Sequence, residues 1–168
     1  MNNSKYLLHL FCLCLIQITI LDNIQLHSFV HINIYPLAIL IMPYKIKKVT
    51  VLFTAFLLGL VLDMANNTVG IHIAASTFVA YIRPKMLQLT SNREQVEDIP
   101  GTGQHKSFGW FLKYLFLSLL AFHTVLILAE AFSFTNFSIT LLRILCSTVV
   151  SCFFVLLYYF IALKKKQE

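Results

Sequence analysis

The chain has 168 residues, 58% apolar and 12% charged, with a mean hydropathy of +0.78. That composition lies far outside the range of ordinary soluble domains and indicates an integral membrane protein. The formal charge of +6 does not point to nucleic acid, because the cations flank apolar runs and the last of them, Lys164, Lys165 and Lys166, form a cytoplasmic stop flank.

Six apolar segments are predicted, at about 6–21, 29–44, 49–64, 70–83, 109–132 and 137–163, each long enough or nearly so to cross a hydrocarbon core of about 30 Å as a helix. The runs are continuously apolar rather than alternating, which argues against barrel strands. The expected fold is an all-α membrane protein, a six-helix transmembrane bundle forming a single domain over residues 1–168.

The first segment follows Lys5 and resembles the hydrophobic part of a secretory signal. Asp22, Asn23, Ile24 and Gln25 stand where a small-residue cleavage site is needed, so a retained helix is expected. Cys12 and Cys14 in this segment, and Cys146 and Cys152 in the last, read as packing residues, since apolar surroundings disfavour the reactive thiolate. His27 and His31 are four apart and would share a helix face, but no cysteine or carboxylate accompanies them, so no metal site is expected.

Segments three and four are short and joined by a turn of about six residues that contains Asn66, Asn67 and Gly70. They are expected to form a tight helical hairpin or a re-entrant pair. Gly59 and Ala55 offer a small-residue face, and Ala74, Ala75, Ser76, Thr77 and Ala80 make segment four slim, so these two segments are expected at the dense centre of the bundle. Asp63 lies inside an apolar run, where a carboxylate is costly unless paired or near an interface. Three roles are open to it: capping the amides around Asn66 to Val69, pairing with Arg143, or coordinating a ligand or metal. His72 and His123 are read as interhelical hydrogen-bonding groups. Ser76 stands four residues from His72, but no nucleophile motif surrounds it.

Residues 84–108 form the long polar loop, marked as irregular by Asp98, Pro100, Gly101 and Gly103. Beyond it, Glu130 ends segment five and Arg143 begins segment six across a short loop, so an ion pair joining two helices is expected. Lys5, Lys45, Lys47, Lys48, Arg83, Lys85, Arg93, Lys106 and the terminal lysines fall on one side if all six segments cross. The opposite loops, near 22–28, 65–69 and 133–136, carry no lysine or arginine. The positive-inside bias therefore places both termini in the cytoplasm, with Lys113 able to snorkel and Arg143 the one cation out of place. No catalytic residue, cofactor or metal is expected, and the chain is not expected to be an enzyme.

The order Gly-Leu-Val-Leu-Asp at 59–63, Asn-x-x-Gly-Ile-His at 67–72, Ile82-Arg83-Pro84, Glu-Ala-Phe-Ser-Phe at 130–134 and Leu-Leu-Arg-Ile-Leu at 141–145 resembles the bacterial rod shape-determining protein MreD family. The resemblance covers essentially the whole chain and rests on the combination of weak motifs. It implies a multi-pass protein of the bacterial cytoplasmic (inner) membrane in the cell-elongation machinery. The implied partners are an MreC-type bitopic protein and, through it, an MreB-type filament, a RodA-type glycosyltransferase and a transpeptidase. Asp63, Glu130, Arg143, Gly59, Gly70 and His72 are then structural or partner-coupling residues. The family is also similar to the small substrate-binding subunits of energy-coupling vitamin transporters, which makes ligand capture the alternative. Those subunits tend to carry an alanine-x-x-x-alanine face in their first helix, whereas residues 1–21 contain neither alanine nor glycine.

Overall fold

In a computed structural model of the chain, residues 3–22, 30–43, 46–90, 108–131 and 137–163 are described, and all regular structure among them is helical. Helix α1 (Asn3–Ile16) continues through a π-helical turn over Gln17–Leu21. The short α2 (Pro36–Leu40) follows, then α3 (Lys48–Asn66), α4 (Ile71–Thr90), α5 (Phe108–Ala131) and α6 (Phe137–Tyr158), which also ends in a π-helical turn, Tyr159–Leu163. Among the described residues, three helical spans are long and apolar enough to cross a membrane: Lys48–Asn66, Phe108–Ala131 and Phe137–Ile161. Their outward faces carry Phe53, Leu57 and Val61 on α3 and Leu142, Val149 and Phe153 on α6, all exposed. Buried polar groups and exposed apolar faces together are the pattern of a protein solvated by lipid.

The second segment departs from expectation. A helix over about 29–44 is predicted, but only Pro36–Leu40 is helical, and Val30 to Ile34 are irregular. Side chains from other elements take the place of helical hydrogen bonds there. The Gln17 amide donates to the Ile32 carbonyl at 2.9 Å and accepts from the Ile34 amide at 2.9 Å. The His31 amide donates to the Ser147 hydroxyl at 3.1 Å and the Asn33 amide to the Ser151 hydroxyl at 2.9 Å. Pro36, which has no amide to lose, then starts α2 at a position where proline is tolerated. Ile32 to Met42 are all buried, so the centre of the bundle is this segment rather than α3 and α4. Irregular backbone is tolerable at such depth because protein surrounds it.

Contacts along the second segment show its direction. Tyr35 meets His72 near the start of α4, and Met42 accepts a hydrogen bond from Arg83, about 16 Å further along the same helix at 1.5 Å per residue. The chain therefore runs from the end of the bundle where α3 turns into α4 (the turn end) to the end that carries Lys47, Lys48 and Lys85 (the basic end). Arg83 is not a loop cation as expected: it is buried, and α4 passes through Pro84 to Thr90. The predicted loop over 84–108 is therefore helical at least to Thr90, and residues 91–107, like His27 and the rest of 23–29 and 132–136, lie outside the described residues.

Helices α3 and α4 form the expected tight hairpin. Asn67 takes a left-handed conformation (φ 54°) with its amide on the Asp63 carbonyl, and Gly70 has φ 77°. A methyl group on Gly59 would lie 2.5 Å from the Ile73 Cα, so only glycine lets the two backbones approach this closely. The Ser76 hydroxyl uses that proximity, lying 2.8 Å from the Ala55 carbonyl and 2.7 Å from the carbonyl of His72. Gly59→Ala is expected to lower stability by about 1–3 kcal/mol through overpacking. Gly70→Asn, in open space and at a φ that asparagine tolerates, is expected to cost less than Gly70→Ala. Thermal unfolding of the three variants in one detergent checks this order.

Candidate functional site

Asp63 occupies the last turn of α3 and is buried. One carboxylate oxygen accepts from the Thr68 hydroxyl at 2.5 Å and the His72 amide at 3.0 Å, and the other accepts from the Ile73 amide at 2.9 Å. The two amides belong to the first turn of α4, which has no intrahelical acceptors for them and carries the positive end of the helix dipole. Of the roles open to Asp63, the geometry selects capping, with amides 72 and 73 in place of the 66–69 set. No ion pair joins Asp63 to Arg143 among the described residues.

Arg143 lies across the α5–α6 connection from Glu130, with its Nη2 atom 3.1 Å from Glu130 Oε2. The third member of this cluster is His31, which the sequence spacing had tied to His27. Its Nε2 atom is 2.6 Å from Arg143 Nη2 and 3.3 Å from Glu130 Oε2. The proton on Nε2 decides the arrangement: without it the ring accepts from Arg143, and with it the ring donates to Glu130. About a third of the Glu130 and His31 side chains is exposed. Ion pairs so open contribute about 0.2–1 kcal/mol, so the cluster sets orientation more than stability.

A second polar chain reaches the same end. Gln17 donates to Asp22 at 2.6 Å, and the Asn66 amide donates to the other Asp22 oxygen at 2.9 Å, tying the end of α1 to the end of α3. Between these groups lies an open cleft of about 440 Å³ lined by Asp22, His31, Asn66, Thr68, Glu130 and Arg143, with His72 at its inner wall. Two carboxylates face one guanidinium there. The His72 ring is 3.3 Å from the Tyr35 hydroxyl. His123 is more deeply buried on α5, with Nδ1 2.9 Å from the Leu119 carbonyl and Nε2 3.2 Å from the Ser151 hydroxyl.

The sequence reading brought Glu130 and Arg143 together and missed Asp22, Gln17, Asn66 and the position of His31. Gln17 carried a readable signal, a lone amide within an apolar run. So did Ser147 and Ser151, which share one face of α6 with buried Ile144 and Val155. The Ser76 hydroxyl is committed to backbone carbonyls rather than to the His72 ring. Among the described residues no three His, Cys, Asp or Glu side chains gather as a metal site.

No protein-family model, curated protein or solved structure matches the chain. The geometry of its own residues is therefore the ground for a functional reading.

Asp63→Ala leaves two helix-end amides and a hydroxyl without their acceptor and is expected to cost about 1–3 kcal/mol. Asp63→Asn, which keeps one acceptor oxygen, is expected to fall between that variant and the parent. Glu130→Gln is expected to change stability by less than about 1 kcal/mol. Unfolding midpoints measured in parallel check the ranking.

Proposed function

We propose that the chain is a non-catalytic scaffold of the cell-elongation complex in the bacterial cytoplasmic membrane, an MreD-type protein that binds an MreC-type bitopic partner. Through that partner it is linked to an MreB-type filament, a RodA-type glycosyltransferase and a transpeptidase. The observation that carries the reading is where the residues of the resemblance lie. Gly59, Asp63, Gly70 and His72 build the α3–α4 hairpin, Arg83 holds the end of the central segment, and Glu130 with Arg143 joins α5 to α6. These residues organise backbone and helix rotation, which is what a partner-binding bundle requires of them.

The exposed apolar faces support the same reading. Phe53, Leu57 and Val61 recur every four residues along α3, and Leu145, Val149 and Phe153 do so along α6. Each forms a stripe on which a single-pass partner helix can lie. In this reading the irregular second segment counts as a crossing. The chain then crosses six times, and both termini are cytoplasmic, in line with the distribution of lysine and arginine.

A second reading, a substrate-binding membrane subunit of a small-molecule transporter, is favoured by one observation, the polar cleft at the turn end. Mild-detergent co-purification of the tagged chain from its native host separates the two. Recovery of a bitopic MreC-type protein with wall synthases is expected, and Arg143→Gln is expected to weaken that recovery. An ATPase pair with a shared membrane coupling subunit, recovered instead, would sink the scaffold proposal.

A further inference from the structure

The basic end holds a second cleft, of about 650 Å³, between the start of α3 and the second half of α4. Its walls combine two chemistries. Lys47, Lys48, Arg83 and Lys85 supply four cations, and among the described residues no carboxylate lines it. Val51, Leu52 and Ala80 supply an apolar wall running toward the middle of the bundle.

Two features of this cleft call for an anion. Helix α3 begins at Lys48 with no side-chain cap and no acidic residue in its first turn. The positive end of its dipole is thus crowded by two lysines, where a carboxylate or a phosphate is normally stabilising. Arg83, only 4% exposed, has one guanidinium nitrogen on the Met42 carbonyl and lies against the Tyr114 hydroxyl, and among the described residues its buried Nε has no hydrogen-bond partner. A buried, unpaired charged donor is costly, and a bound anion offsets that cost.

We propose that this cleft binds the phosphate of an acidic phospholipid, with an acyl chain lying along Val51, Leu52 and Ala80. The apolar wall distinguishes this ligand from free phosphate, which has no hydrocarbon to place there. The site depends on the chain being in a membrane and is independent of the scaffold reading, since it lies at the other end of the bundle from the Asp63 and Glu130 groups.

Native mass spectrometry of the full chain in mild detergent, titrated with dioleoyl phosphatidylglycerol or dioleoyl phosphatidylcholine, tests it. The parent is expected to bind its first phosphatidylglycerol at least about tenfold more tightly than phosphatidylcholine, a preference that three surface lysines can supply. The triple variant Lys47→Gln, Lys48→Gln, Lys85→Gln is expected to lose the preference. Replacing Lys164, Lys165 and Lys166 by glutamine is expected to keep it. All three cleft lysines are exposed, and thermal unfolding reports whether the triple variant is folded; if it is not, Lys85→Glu alone carries the same test. No preference in the parent, or an undiminished preference in a folded cleft variant, overturns the site. Full displacement of phosphatidylglycerol by millimolar inorganic phosphate overturns the lipid as its ligand.

Discussion

Backbone amides and carbonyls with no water to bond must find partners inside the chain, and this constraint governs the structure more than any single contact. Long helices meet it automatically except at their ends. The side chains that are expensive to place among apolar residues here are the ones assigned to those ends. Asp63 takes the first amides of α4, Arg83 takes the Met42 carbonyl, and the Tyr114 hydroxyl takes the Leu40 carbonyl at 3.3 Å. The polar side chains are thus completions of the backbone rather than decorations of it.

The same constraint explains how an irregular segment comes to occupy the centre. Val30 to Ile34 give up helical hydrogen bonds, and Gln17, Ser147 and Ser151 replace them. Those three side chains come from α1 and α6, the first and last helices, so satisfying the segment also brings the two ends of the chain around it. His123 extends the network, because its ring meets the same Ser151 hydroxyl that serves Asn33. A single serine therefore links α5, α6 and the central segment, and the fold is closed by polar contacts that an apolar core alone would not direct.

This division marks what was legible in the sequence. Helices α3, α5 and α6 follow from long apolar runs, and the hairpin turn follows from Asn66, Asn67 and Gly70, because those signals are local. The proximity of Glu130 and Arg143 follows from the short connection between their helices. The irregular second segment was hidden, since an apolar run with one proline reads equally as a buried helix, and its rescuing serines lie more than 100 residues away. His31 was misread for a similar reason: its spacing to His27 is a local pattern, whereas its partners Glu130 and Arg143 come from α5 and α6. Pro84 signalled the end of a helix that in fact continues to Thr90, so a local breaker was overridden by packing. Arg83 looked like one more loop cation until the helix carried it inward.

The two ends of the bundle thus differ in kind. At the turn end the charges are mixed: Glu130 pairs with Arg143, Asp22 is held by Gln17 and Asn66, and Asp63 is consumed by the backbone. Such an end presents a shaped, polar surface with both signs of charge. At the basic end, Lys47, Lys48 and Lys85 surround a buried guanidinium, and among the described residues no carboxylate lines the cleft they share. Charge so arranged suits an anionic membrane surface. The exposed apolar faces of α3 and α6 lie between these two ends, at a rotation that the packing of the helices fixes. A helix packing against those stripes is selected by register and shape, because lipid is as apolar as the stripes and gives no hydrophobic reward for contact. Gly59 and Asp63 matter for that reason: by fixing how α3 sits on α4, they fix which side chains of α3 a neighbouring helix meets.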